Sequence, residues 1–159
     1  DRDIFFVDLG GWDHHNNMKT ELADHFQSLD IALSDFTLEM KEQNLWNDVT
    51  LVIVSDFART LTANSGEGSD HAWAGNYFLT GGSVSGGQIH GRYPSDIIKS
   101  GPYNIGRGRL IPDLSWESML NSVAMHMGIE TNDELNYCMP NRVKAGAKLF
   151  TEAEVFDVS

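Results

Sequence analysis

A carboxylate and two imidazoles stand side by side at Asp13-His14-His15, and a second acid–imidazole pair stands at Asp70-His71. Carboxylate oxygen and neutral imidazole nitrogen together suit zinc and similar divalent ions. Asp13 and His15, two apart in an extended loop, can point to the same side of the chain. Asp56 closes an apolar run, and Arg59 follows it shortly after. Brought together, Asp13, Asp56 and Asp70 would repel one another unless a cation stood between them. Arg59 has two roles open to it: a salt bridge within its own loop, or a bidentate clamp on a phosphate or sulfate oxygen. Ordinary turns and caps use the same residue types. It is the combination that points to a metal-supporting arrangement.

Other polar residues read more simply. Arg92, Arg107 and Arg109 lie in a glycine-rich stretch where salt bridges are the commoner fate. His25, His90 and His126 read as boundary or packed histidines. Trp12 and Trp73 flank the acid–imidazole segments and either pack in the core or wall the site from water.

The elements that must position these groups follow from periodicity. Ile4 to Val7 is a short apolar run ending at Gly10-Gly11, and it predicts a buried strand. Asn16 or Asn17 can cap the next helix. From Met18 to Gln43 no Gly or Pro intervenes, and Leu22, Phe26, Leu29, Leu33, Phe36 and Met40 recur at helical spacing. Val49 to Ser55 predicts a second buried strand. Strand, helix, strand implies a right-handed βαβ unit with parallel strands. Both carboxyl ends then share one edge, where ligands of open α/β sheets bind.

Residues 63–69 form a long loop without apolar pattern, functional or mobile by that length. Residues 76–80 predict a third strand, and Gln88 to His90 a short fourth. Ser115 caps a second helix with Trp116, Leu120, Val123, Ala124 and Met127 on its apolar face and Gly128 as its stop. Residues 132–137 suggest one more helical turn. The fold class expected is α/β, a mainly parallel sheet with flanking helices. A single domain over residues 1–150 would precede a loosely held acidic tail, 151–159, carrying Glu152, Glu154 and Asp157.

Composition narrows the function classes. The chain has 159 residues, 11 basic against 23 acidic, for a formal net charge of −12. That balance argues against a general nucleic-acid binder, which needs a basic footprint. It suits cation binding or an acidic extracytoplasmic surface. The lone cysteine, Cys138, excludes an internal disulfide and a cysteine-rich zinc site. No run approaches the roughly 18 apolar residues of a membrane span. The start at Asp1-Arg-Asp, leading directly into an apolar segment, reads as a piece of a longer precursor.

Several segments also carry a family resemblance. Gly10-Gly-Trp-Asp13-His-His15 resembles the "GGWDTH" motif of the domain-of-unknown-function family numbered 1501. Ser55-Asp56-Phe-Ala-Arg59-Thr60 resembles its "SEFGRT", and Asp70-His71-Ala-Trp73-Ala-Gly75 its "DHGWGG". Gly81-Gly82 with Val84, then Gly87 to Pro94, resembles its "GGAVKGG…GRYP" run, and Gly106 to Pro112 also matches. The resemblance covers about residues 4–128.

That family is grouped with the alkaline phosphatase and sulfatase superfamily. The grouping implies the C-terminal portion of an α/β/α sandwich with metals at the sheet's carboxyl edge. Carried over, Asp13 and His15 would serve one divalent ion (zinc, calcium or magnesium), Asp56 a second, and His71 would return to the first. Arg59 would bind the anion of a phosphate or sulfate ester. Three features depart from the superfamily. Phe57 stands where a His usually follows the strand-end Asp, Asp13-x-His15 is shorter than Asp-x-x-x-His, and no segment corresponds to the upstream nucleophile. The expectation is therefore a metal-dependent hydrolase-like domain, incomplete without an upstream segment or another protein chain. Its rival is a binding or structural module that keeps the fold without the chemistry.

Overall fold

The structure is a computed structural model and describes residues 2–97, 100–144, 146 and 148–158. Asp1, and with it the very start of the chain, lies outside the described residues, as does Ser159 at the end of the acidic tail. The longest element is α1 (Met18–Glu42), where the apolar periodicity predicts it. Leu22, Leu29, Leu33 and Met40 are half-buried, whereas Phe26 and Phe36 are exposed. Asn17 precedes the helix, but its backbone is left-handed (φ 47°, ψ 29°) and its side chain does not cap. The opening N–H groups find carbonyls in the 64–69 loop instead: Asn17 donates to Gly66 at 3.2 Å and Met18 to Glu67 at 3.2 Å. The start of the helix is thus satisfied by a distant loop rather than by its own cap residue.

After a 3-10 turn at Trp46–Asp48 come β1 (Thr50–Ile53), β2 (Ala58–Arg59), β3 (His71–Ala72) and β4 (Phe78–Gly81). β1 pairs with β4 antiparallel, Thr50 opposite Gly81 and Ile53 opposite Phe78. β2 pairs with β3 antiparallel, Ala58 opposite Ala72 and Arg59 opposite His71. The expected mainly parallel α/β sandwich is therefore corrected to three helices and two small antiparallel sheets among the described residues. An antiparallel return needs no helical crossover, so α1 does not connect parallel strands.

Residues 4–7, expected as the first strand, are not a strand. Ile4, Phe5, Phe6 and Val7 are 84–89 % exposed and join no ladder. Their apolar run expresses a preference for burial, but a strand also needs a neighbour to accept its backbone bonds. Gln88 to His90 likewise forms no strand.

The later helices lie where expected. Ser115 caps α2 (Trp116–His126) in a capping box with Ser118, and Gly128 takes the left-handed conformation (φ 86°) that ends it. Thr131 caps α3 (Asn132–Cys138), accepting from the Glu134 N–H. The tail reverses its expectation. Phe150, Val155 and Phe156 form the buried core, packed by Leu79, Val84, Leu114 and Val123. A 3-10 turn at Glu152–Glu154 brings Val155 and Phe156 inward, and Asp157 and Ser85 exchange backbone bonds with Ser83 and Val155 at 2.9 Å each. Val155 and Phe156 are the two apolar anchors that fasten the end of the chain.

Candidate metal centre

β2 and β3 place the centre. Their short ladder sets Arg59 opposite His71, and the 64–69 loop between them folds back on the segment before α1. Asn64 organises that loop. Its Oδ1 accepts from Gly66 N at 2.9 Å and Gly68 N at 3.0 Å, and its Nδ2 donates to the His15 carbonyl at 3.0 Å and to Asp70 Oδ1 at 3.2 Å. Gly68 lies against the His15–Asn16 backbone so closely that a Cβ would stand 2.2 Å from the His15 carbonyl carbon. Only glycine permits this approach. The loop is thus an ordered strut.

Arg59 locks the pieces together. Its Nε donates to Ser69 Oγ at 2.8 Å, its Nη1 to Asp13 Oδ1, and its Nη2 to the carbonyls of His14 (2.6 Å) and Ser69. Four of its five N–H groups are so used.

Asp13 is the hub. His71 Nε2 lies 2.8 Å from its Oδ1 and His15 Nδ1 lies 3.1 Å from the same oxygen. One ligand atom from each of Asp13, His15 and His71 lies within 4.8 Å of the others, and all three side chains are exposed. Desolvation by itself raises the Asp13 pKa. Hydrogen bonds from His71 and Arg59, with the charges of His15 and His71, outweigh it and hold the carboxyl below its ordinary value. The Phe57 ring stacks on His71 at 4.0 Å between centroids and 17° between planes, which fixes the imidazole's orientation. Nothing in the identity of Phe57 signals this role; only its place beside Asp56 could have drawn attention to it.

The remaining candidates lie elsewhere. Asp56 is outside the Asp13–His15–His71 group. Its charge is instead felt by Tyr77, whose phenol is pushed up first by burial and second by Asp56. Asp70 faces Asn64 and Arg107; the Asn64 bond lowers its pKa, desolvation opposes, and Arg107 lowers it further. His14 turns inward and is buried. Its Nδ1 lies 3.1 Å from the Trp12 carbonyl, and its Nε2 has no hydrogen-bond partner among the described residues, with Glu21 Oε2 at 3.6 Å. Trp12 packs edge-on against His25 and Phe26, while Trp73 is exposed. Arg92 pairs with Asp113, and Arg109 donates to the carbonyls of its own turn. His90 lies against Phe150.

One comparison with known proteins bears on this arrangement. The family model "Protein of unknown function (DUF1501)" matches residues 1–135, which include every residue of the centre. The chain belongs to the DUF1501 family. No curated protein and no solved structure matches it. Within this DUF1501 chain, no helix among the described residues is long and apolar enough to cross a membrane.

The donor set fits a divalent ion of the zinc class. One carboxylate oxygen and two imidazole nitrogens make three protein ligands, which leaves a position open for water or substrate. Tetrahedral zinc would hold its ligand atoms about 3.4 Å apart, and the observed spread of no more than 4.8 Å needs only small side-chain movements to reach that.

Proposed function

We propose that this DUF1501 chain carries the metal-holding part of a hydrolase centre that acts on phosphate or sulfate esters. One observation carries the reading: Asp13 and His15 share one segment and His71 lies far along the chain, yet their ligand atoms converge within 4.8 Å at the surface. A divalent ion held there supplies Lewis-acid activation of an ester oxygen. Asp13 stays ionised and offers oxygen, while Phe57 holds the His71 ring in line. The remaining Arg59 N–H is available to an anionic ester oxygen. The resemblance to the alkaline phosphatase and sulfatase superfamily supports the ester class, whereas the fold of that superfamily forms no part of the proposal. Asp56 is left outside a single-ion centre.

The same reading includes a further polypeptide segment, from the same precursor or another chain. A folded monomer of this mass exposes about 7,900 Å², and this chain exposes 11105 Å². The excess includes residues 4–7 and the exposed Phe26, Ile31, Phe36 and Leu38 of α1. A covering segment would shield this apolar surface.

Calorimetric titration of the purified chain with zinc, manganese, calcium and magnesium tests the centre. One ion per chain, lost in Asp13→Asn and His71→Gln variants that keep their circular dichroism, is the expected result. Absence of stoichiometric binding by any of the four overturns it. Hydrolysis of p-nitrophenyl phosphate and p-nitrophenyl sulfate by the loaded chain then tests the ester class.

The second reading is a binding or structural module without catalysis, and the Arg59 bond to Asp13 favours it. A guanidinium already neutralises the hub carboxylate, so a cation is not needed for its stability. Metal content separates the two.

A further inference from the structure

Later in the chain, three side chains outside the proposed metal centre stand in a different order. His126, in the last turn of α2, lies with its Nδ1 2.9 Å from Glu152 Oε1. Its Nε2 lies 3.5 Å from Ser83 Oγ, just past the end of β4. The ring is laid flat on Phe156, centroids 3.9 Å apart and planes 2° apart. Phe156 is a core residue, 1 % exposed, so the imidazole plane is set by packing. All three polar groups remain within reach of solvent, with 29 % of the His126 and 31 % of the Glu152 side chain exposed.

Each group has the partner that nucleophilic catalysis requires. A carboxylate on Nδ1 selects the tautomer that leaves Nε2 free to accept a proton. A hydroxyl within reach of that nitrogen is the group it would activate, and such bonds are often long before substrate binds. Glu152 and Ser83 come from different elements, and the residues that hold them, Val84, Val155 and Phe156, bond or pack across the same junction.

We propose that Ser83, His126 and Glu152 form a second, metal-independent site, a serine nucleophile for carboxylic esters. His126 Nε2 takes the Ser83 Oγ proton as Oγ bonds to the ester carbonyl carbon. The carbon–oxygen bond to the alcohol breaks, and the departing oxygen receives that proton. Water then repeats the sequence: its proton passes to His126, its oxygen bonds to the acyl carbon, and Ser83 leaves and recovers the proton. Ser83 and His126 are catalytic residues. Glu152 is a positioning residue, because it acts through His126.

The test uses a fluorophosphonate probe on the full chain, in the presence of a chelator. Attack by Ser83 Oγ forms an oxygen–phosphorus bond and expels fluoride, and the hydroxyl proton leaves through His126. Expected is one probe on the peptide containing Ser83, absent in Ser83→Ala. The labelling rate should fall at least about a hundredfold in His126→Gln. Among the described residues, the charged groups touching His126 are Glu152 on its ring and Arg2 on its main-chain carbonyl. In Glu152→Gln the labelling rate should fall at least about tenfold, and Glu152→Asp, which keeps a carboxylate, should recover part of it. A merely structural Glu152 would change the melting temperature and leave the labelling rate of the folded chain in place. Should His126→Gln disturb folding, Glu152→Gln and Ser83→Ala still decide the matter. No label at Ser83, or a label whose rate is the same in Glu152→Gln as in the parent, overturns the proposal. Because chelator is present throughout, failure here leaves the metal centre untouched, and failure of metal binding leaves this site untouched.

Discussion

Two histidine–carboxylate pairs, nearly equal in length, occupy opposite kinds of ground. His71 meets Asp13 at 2.8 Å and His126 meets Glu152 at 2.9 Å, and each ring lies on a phenylalanine. Asp13 is shared among His71, His15 and Arg59, whereas Glu152 serves one imidazole. Phe57 is half-buried beside its loop, while Phe156 belongs to the core. A carboxylate on which several cationic groups converge suits an ion. A carboxylate devoted to one ring nitrogen, with the ring clamped from below, suits orientation. Residue type sets the available chemistry, and the number and rigidity of neighbours select among its uses.

The largest expected effect comes from removing the support beneath each ring. Phe156→Ala should cost about 4 kcal/mol, since it empties a buried position at the centre of the core. Phe57→Ala, at a half-buried site, should cost clearly less and should act on metal affinity rather than on global stability. Urea unfolding of both variants checks this, and equal losses would break the contrast between clamped and loop-held rings. Next is Arg59→Ala. It removes four hydrogen bonds from a half-buried side chain and leaves the His14 and Ser69 carbonyls to find water. A loss of roughly 3 kcal/mol in the same assay is expected. Arg59→Lys should recover little, because a single ammonium cannot reproduce the fork.

A smaller change should sharpen the comparison by function. His15→Ala should weaken zinc binding by at least about a hundredfold, as expected for loss of a ligand rather than of an outer contact. The same variant should leave labelling at Ser83 unchanged. Titration calorimetry and probe labelling on one preparation check both halves. Cross-talk in either direction would mean that the two pairs are not independent sites.

Much of this arrangement can be read in the chain, and what cannot has identifiable causes. α1 and α2 follow from uninterrupted helical periodicity, and Ser115 and Gly128 mark the ends of α2 as their chemistry requires. β1 and β4 follow from apolar runs. Strand direction does not follow, because a βαβ order is compatible with parallel pairing without compelling it, and β1 instead takes the returning β4 as neighbour. Residues 4–7 show the limit of reading burial from apolarity, since the run names a preference that no described neighbour meets. The tail misleads in the other direction: Glu152, Glu154 and Asp157 mask Val155 and Phe156, two of the most buried side chains. At the centre, Asp13, His15 and His71 meet through the antiparallel β2–β3 ladder and the 64–69 loop, and not at the edge of a parallel sheet where the sequence leads one to expect them. The roles of Phe57, Asn64 and Ser69 do not follow from residue types, because stacking and loop bracing depend on neighbours far along the chain.

The smallest expected effect is a pH dependence confined to the end of the chain. Glu154 accepts first from Lys148, at 2.7 Å, and then from the backbone and side chain of Thr151, which together pull its pKa from 4.5 to about 2. A depressed carboxyl contributes stability that is fully present above its unfolded value and is lost as pH falls through the folded one. The Glu154 contribution should therefore be constant above about pH 5 and fade between about pH 4.5 and pH 2. Glu154→Gln should be less stable than the parent at neutral pH, and the two should converge as pH approaches 2. Asp13 is also held below its ordinary value, so its contribution fades with acid in the same direction, at the other pair. Thermal melts of parent, Glu154→Gln and Asp13→Asn across this range separate the two regions. The Glu154→Gln difference should follow the melting of the C-terminal core, and the Asp13→Asn difference should follow protection of the 64–69 loop in hydrogen exchange. A Glu154→Gln difference that persists undiminished at pH 2 would mean that the Lys148 and Thr151 contacts do not hold that carboxylate in its charged form.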